Sequence, residues 1–95
     1  MDLNELDWIE GPMADTIICH GPWWYDEFNP SERDVAMAAM GDKLLLAGYV
    51  KRESWVYNGM FITRYVVTVE GKKADRVRRK ALDKKFAKIF KEIGV

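Results

Sequence analysis

Residues 50–69, VKRESWVYNGMFITRYVVTV, contain the most specific local pattern of the chain. Two runs rich in β-branched and aromatic residues flank Asn58-Gly59, a dipeptide that suits a two-residue type I′ turn because both positions tolerate positive φ. One resulting cross-strand pair is apolar and another is opposite in charge, as such pairs prefer. The stretch therefore predicts a β-hairpin with strands over 50–57 and 60–69. The predicted pairs are Tyr57–Met60, Trp55–Ile62 and Glu53–Arg64.

A helix is predicted immediately before the hairpin. Ser31 follows a proline and precedes two acids, so it can cap the free N–H groups of a helix start. Residues 35–40 and 44–47 are apolar nearly all round, which is typical of a helix buried on several sides. We therefore place this helix at the centre of the core. Gly41 allows a bend or break, and Gly48 is expected to end the helix.

A final helix is predicted from Asp75, as its cap, to about Ile93. One face is apolar, with a phenylalanine at its edge, and we expect it to lie on the core. The other side is basic, and residues 72–91 contain ten bases against two acids. The apolar residues are Leu82, Phe86, Ile89, Phe90 and Ile93.

The N-terminal third gives weaker patterns. Residues 2–10 could form a short amphipathic helix that Gly11-Pro12 ends. The β-branched stretch 16–19 predicts a short strand. The aromatic run 23–28 has Gly-Pro before it and Asn-Pro after it, which is typical of a loop.

These elements predict one small α+β domain over residues 1–95. Its expected order is (α)βαββα: a weak first helix, a short N-terminal strand, a buried central helix, an antiparallel hairpin and a C-terminal amphipathic helix. Ninety-five residues suffice for one hydrophobic core and not for two. The 48% apolar and 32% charged content is that of a folded globular chain.

Residues 44–53, LLLAGYVKRE, followed by a hairpin and a closing helix, resemble the end of a winged-helix domain. There, a leucine-rich helix runs through a Gly-aromatic-Val exit into a β-hairpin wing. The resemblance covers about half the chain and implies a winged-helix-like architecture. The chain departs from that pattern because a recognition helix needs polar residues toward the DNA groove, and here only Asp42 and Lys43 interrupt the apolar run.

Charge is distributed unevenly although the formal net charge is zero. Residues 1–34 contain nine acids and one base, whereas residues 35–95 contain fourteen bases and six acids. Two interpretations remain open. Either the asymmetry serves a charged partner, or the two halves pack together and neutralise each other.

No recognised catalytic motif is present. Cys19-His20 joins the only thiol to the only imidazole, but neighbours on a strand point to opposite faces, and two residues are too few for a zinc site. There is no phosphate-binding glycine loop or nucleophile elbow. We therefore expect a binding module that is not an enzyme and uses no cofactor or metal.

The sequence also suggests a compartment. It has no apolar run of membrane-spanning length, its N-terminus lacks the pattern of a signal peptide, and a single cysteine excludes an internal disulfide. These features predict a cytoplasmic protein with no membrane partner.

Two functional hypotheses follow. In the first, the last helix binds nucleic acid through phosphate contacts. In the second, a small inhibitor or adaptor, of the type phages encode, binds a partner protein through an aromatic loop and an acidic surface. A variant is a homo-oligomer in which one molecule's acidic half meets another's basic half. The nucleic-acid residues are Lys73, Arg76, Arg79, Lys80 and Lys84, and the protein-binding residues are Trp23, Trp24 and Tyr25. The sequence leaves open whether the two tryptophans are core or exposed.

Overall fold

The computed structural model describes residues 1–94 and confirms the α+β class and the predicted order of elements. A short 3-10 helix precedes three α-helices and three strands. In chain order the elements are the 3-10 helix Leu3–Glu5, α1 Glu10–Cys19, β1 Trp23–Asp26, α2 Glu32–Leu46, β2 Val50–Tyr57, β3 Met60–Val67 and α3 Val69–Glu92.

The hairpin forms with the predicted turn and register, but its second strand ends at Val67 rather than at residue 69, because Thr68 caps α3 and Val69 begins it. Asn58 and Gly59 have φ of 47° and 75°, the left-handed values that a type I′ turn requires. The register confirms all three predicted pairs, and Arg64 Nη2 lies 2.8 Å from Glu53 Oε2. β1 pairs antiparallel with the other edge of β3, which gives a three-stranded sheet in the order β1-β3-β2.

The hydrophobic core lies between one face of this sheet and the helices. α1 contacts β3, and α2 contacts both α1 and β2. Tyr65 of β3 is fully buried among side chains from both helices. The buried cluster comprises Leu3, Ala14, Ile17, Ile18, Met37, Met40, Leu44, Val50 and Tyr65.

The predicted ends of α2 are confirmed. The Ser31 hydroxyl accepts a hydrogen bond of 3.1 Å from the Asp34 N–H, and the Asp34 carboxylate accepts one of 3.0 Å from the Ser31 N–H. This reciprocal capping box satisfies two backbone donors that the helix leaves free. Gly48, just after the helix, has φ of 79°, a conformation that glycine adopts without strain.

The prediction that α2 is buried on several sides is wrong. Only Met37, Met40, Gly41 and Leu44 are buried, at the spacing of a single helix face. Leu46 is 91% exposed, because the sheet and α1 cover one side of the helix only. The helix also continues through Gly41 without interruption.

The N-terminal assignments are wrong in position. Residues 16–19 belong to α1 rather than to a strand, and the first strand is the aromatic segment at 23–26. Gly11-Pro12 lies in the first turn of α1, where proline is tolerated because its missing N–H would have no helical partner. The Asp7 carboxylate accepts hydrogen bonds from the N–H groups of Ile9 and Glu10, which lower the pKa of Asp7.

The last helix differs from the prediction in its capping residue and in the packing of its C-terminal half. Its cap is Thr68, whose hydroxyl accepts a hydrogen bond of 3.1 Å from the Gly71 N–H, while Asp75 lies buried in the second turn. All of residues 81–94 are exposed, so the predicted packing of the apolar face at 82–93 on the core is wrong. A 24-residue helix is about 36 Å long, which exceeds the 26 and 18 Å cross-section of the molecule. The C-terminal half of α3 therefore projects beyond the body of the domain.

Candidate binding surfaces

Four lysines form a straight row along α3. Lys73, Lys80, Lys84 and Lys91 are separated by seven, four and seven residues, a spacing that places them on one helical face. All four are exposed. At 1.5 Å per residue the row is about 27 Å long. We call these four residues the lysine row.

Most basic side chains of α3 form no ion pair within the described residues. Arg78 pairs with Asp15 of α1, and Arg79 pairs with Asp75 one turn earlier. The remaining bases of 72–91 make no ion pair with any residue of 1–94. They are Lys72, Lys73, Arg76, Lys80, Lys84, Lys85, Lys88 and Lys91. Within the described chain, the acidic first third therefore pairs with only one base of this helix, Arg78.

Of the residues predicted to bind nucleic acid, Arg79 stands apart. Its Nε donates to Asp75 Oδ2 at 2.8 Å, and its Nη2 donates to the sulfur of Cys19 at 2.9 Å. The side chain is thus fixed on the face toward α1. Lys73, Arg76, Lys80 and Lys84 lie away from this contact and carry the free charge.

Cys19 belongs to an ionic cluster that joins α1 to α3. Its sulfur donates to Asp75 Oδ2 at 3.4 Å, and burial raises the pKa of the thiol. A protonated thiol that contacts a carboxylate and a guanidinium is a weak nucleophile. Cys19 Sγ and the carboxylates of Asp15 and Asp75 lie within 4.8 Å of one another, but each carboxylate already has an arginine partner. The geometry indicates a structural link between the two helices.

The three aromatic residues predicted to bind a partner protein lie on β1 and point to opposite faces of the sheet. Trp23 and Tyr25 alternate with Trp24 along β1 and face the helices. The Trp23 ring stacks on Tyr25 at 5.1 Å and on Tyr65 at 6.0 Å between centroids. Trp24 points to the opposite face of the sheet and is 58% exposed. One tryptophan is therefore packed against the core and its neighbour is available to solvent.

Trp24 belongs to a larger apolar surface on the side of the sheet away from the helices. A shallow concavity of about 380 Å³ lies there, and we call it the open sheet face. The Arg64 guanidinium lies 5.2 Å from the Trp55 ring centroid, within range of a cation–π contact. The lining residues are Pro22, Trp24, Trp55, Tyr57, Met60, Ile62 and Arg64.

The open sheet face could be predicted only in part from the sequence. The hairpin register places Trp55, Tyr57 and Ile62 on one side of the sheet by strand alternation. Trp24 joins them only because β1 pairs with β3, where Trp24 lies opposite Arg64. That pairing could not be derived while residues 23–28 were interpreted as a loop.

The projecting half of α3 presents a third surface. Leu82, Phe86, Ile89 and Ile93 follow one face of the helix, and each is at least 36% exposed. Gly71 and Asp75, which are buried in the first turns of α3, lie on the same face of the helix. The lysine row occupies the opposite side of the helix.

Comparison with known protein families, curated proteins and solved structures finds no significant match to this chain. Within residues 1–94, no helix combines the length and the apolar character needed to cross a membrane.

Proposed function

We propose that this protein is a non-enzymatic binding module that attaches to nucleic acid through α3. The observation that carries the proposal is the set of eight basic side chains on this helix that form no ion pair within the described chain. Such a concentration of free cations attracts a phosphate backbone, because binding releases the counterions condensed on the nucleic acid.

The geometry of the lysine row supports contacts to the backbone rather than to bases. A straight row of about 27 Å spans several successive phosphates. Lysine is a flexible point charge that lacks the rigid planar fork of arginine, so it suits a phosphate without fixing the orientation that base reading needs. Arg76, at the edge of the row, adds one guanidinium. We therefore expect binding that is largely independent of sequence and falls steeply with salt.

Fluorescence anisotropy with a mixed-sequence DNA duplex of about twenty base pairs, across 50 to 300 mM salt, tests the proposal directly. If four lysines contact phosphates, the logarithm of the affinity should fall with the logarithm of salt with a slope of about −3 to −4. Lys80→Gln with Lys84→Gln should reduce that slope by about 2 and weaken binding to unrelated sequences equally.

A matched control removes the same charge elsewhere. Arg33→Gln with Lys51→Gln changes two exposed bases on α2 and β2, and this variant should bind nearly as the unmodified protein does. Equal loss of affinity in the two double variants would mean that net charge, not the lysine row, governs binding. Absence of binding at the lowest salt would refute the proposal.

A second candidate function, binding to a partner protein, is favoured by the open sheet face. Exposed tryptophan, tyrosine and arginine are the residues enriched at interface hot spots, and here they share one concave apolar surface. Of the predicted triplet, Trp24 lines this surface, whereas Trp23 and Tyr25 pack against the core.

Removal of the two indoles tests this second function. Trp24→Ala with Trp55→Ala should abolish capture of a specific protein from a nuclease-treated lysate while the thermal unfolding transition is retained. Trp8→Ala is the matched control, since Trp8 is 84% exposed and lies outside the concavity. Capture that survives the double variant, or that Trp8→Ala abolishes equally, would contradict a partner site on the open sheet face.

A further inference from the structure

The exposed apolar residues of α3 have the spacing of a coiled-coil seam. Leu82, Phe86, Ile89 and Ile93 are separated by four, three and four residues, the alternation of core positions in a heptad repeat. We call these four residues the seam. Phe90 lies at its edge and is also exposed.

This part of the helix has little to stabilise it within its own chain. Residues 81–94 are all exposed, and helices shorter than about 12 to 15 residues are marginal in water without packing of an apolar face. The seam exposes four large apolar side chains. Nearer the domain, the same face of α3 is buried at Gly71 and Asp75. A helical partner with a matching apolar stripe would cover it.

The basic side chains do not obstruct a second copy of this helix. The lysine row lies on the side opposite the seam, so two helices in contact along their seams hold their lysine rows on the outside. The flanks of the seam carry Lys85 and Glu92 on one side and Asp83 on the other. Whether these flanks attract depends on the direction in which the helices pair.

We infer that the seam pairs with the seam of a second copy in antiparallel orientation. In this register Leu82 of each chain lies opposite Ile93 of the other, and Phe86 lies opposite Ile89. Each Lys85 then faces Glu92 of the other copy, which gives two pairs of opposite charge. A parallel pair would place Lys85 beside Phe90 and would form neither ion pair.

The length of the projecting segment matches the same register. The seam begins at Leu82, one turn beyond Arg78 and Arg79, which bind the domain, and the helix ends at Glu92. Antiparallel overlap of 82–93 with itself therefore covers the seam and stops where each domain begins. The two domains lie at opposite ends of the pair, so their bodies do not collide.

The resulting dimer should be weak. Two short helices in contact bury less area than the roughly 1,600 Å² of a standard stable interface, so we expect dissociation in the micromolar to millimolar range. Residues 79–92 contain six bases and two acids, so like charge opposes the pairing. Salt should therefore strengthen this dimer, whereas it would weaken association of an acidic half with a basic half.

Sedimentation velocity of the intact chain, from roughly ten micromolar to one millimolar and at low and high salt, measures the pairing. The dimer should appear as concentration rises and persist at high salt. Phe86→Gln with Ile89→Gln should abolish it across this range. Val77→Gln with Leu46→Gln, which changes two exposed apolar residues outside the seam, should leave it unchanged.

A charge exchange tests the orientation. Lys85→Glu places like charges opposite each other in the antiparallel pair and should weaken the dimer about threefold to tenfold. Adding Glu92→Lys to that variant restores opposite charges and should return the dissociation constant to near its original value. A dimer that ignores both changes, or that the second change weakens further, would overturn the antiparallel register.

A lipid surface is the competing occupant, because basic amphipathic helices also bind anionic membranes. Co-sedimentation with vesicles of equal parts phosphatidylserine and phosphatidylcholine separates the two occupants. A chain that stays monomeric at one millimolar would overturn the inference. If that monomer also binds these vesicles, and loses the binding when Phe86 and Ile89 become glutamine, the seam serves lipid instead.

Discussion

Tyr65 is the residue at which the helices and the sheet meet. Its side chain is fully buried, its ring stacks against Trp23, and its hydroxyl donates a hydrogen bond of 2.7 Å to Asp42 Oδ1. The ring also lies directly over the backbone of α2, where Gly41 has no side chain. A Cβ placed on Gly41 would lie 2.8 Å from two atoms of the Tyr65 ring. The absence of a side chain at position 41 is therefore what allows this tyrosine to pack.

Gly41→Ala should destabilise the protein despite the better helix propensity of alanine. The propensity gain is about 1 kcal/mol. Overpacking of a core costs about 1 to 3 kcal/mol, and the Tyr65 ring is fully buried. We therefore expect the free energy of unfolding in urea to fall, by up to about 2 kcal/mol. In a Tyr65→Leu background the same change should become neutral or stabilising, and a stabilising effect with Tyr65 intact would contradict this account.

The same tyrosine should make the fold sensitive to alkaline pH. Burial, and then the hydrogen bond to the Asp42 carboxylate, raise the pKa of Tyr65 well above its usual value near 10. Because the folded state favours the neutral phenol, this contribution is complete below pH 10 and is lost as pH rises above it. Burial and the nearby Glu27 raise the pKa of Tyr25 in the same direction.

Urea unfolding at pH 8 and at pH 11 measures this loss. Stability should fall between the two, and Tyr65→Phe should reduce the fall without removing it, since Tyr25 still titrates. Identical pH dependence in the variant and the unmodified protein would show that another group is responsible.

At the scale of elements, the sequence predicted best what a few adjacent residues determine. The Asn58-Gly59 turn fixes the hairpin because its left-handed φ values and the flanking pairs all lie within twenty residues. The start of α2 was predictable for the same reason, since Ser31 and Asp34 satisfy each other's backbone donors.

Elements that depend on distant contacts were not predictable in this way. Residues 16–19 have high β-propensity, yet Ala14, Ile17 and Ile18 lie at the helical spacing that fills the core, and burial outweighs local preference. β1 pairs with residues about forty positions later, so its strand character is set by β3. The open sheet face depends on that pairing and was therefore only partly visible in the sequence.

The apolar face of α3 shows another limit of sequence patterns. The spacing of Leu82, Phe86 and Ile89 correctly indicated an amphipathic helix, but periodicity identifies a face and not what covers it. The basic side could be predicted more fully, because charge is read directly from the sequence. What the structure adds is that Arg78 and Arg79 are engaged by the domain and the lysine row is not.

The whole molecule consists of a compact body and a projecting arm, 57 Å in its longest dimension. The first turns of α3 belong to the body, where Gly71 packs against the backbone of Tyr49 and the Asp15–Arg78 pair ties the helix to α1. The arm beyond Asp83 contributes no residue to the buried core. The stability of the body should therefore be nearly independent of the arm.

Truncation of the chain after Asp83 should separate the two parts. At protein concentrations well below the dissociation constant of the proposed dimer, the free energy of unfolding should change by less than about 1 kcal/mol, because exposed residues contribute little. Truncation after Lys73 is the control, since it removes Asp75, Arg78 and Arg79 and exposes Leu3 beneath the helix, and it should prevent stable folding. Truncation after Asp83 also removes three of the four seam residues and two of the four lysines of the lysine row. A stable body that neither dimerises nor binds DNA as tightly would therefore assign both properties to the arm. A body that unfolds without residues 84–95 would instead show that the arm packs on its own domain in solution.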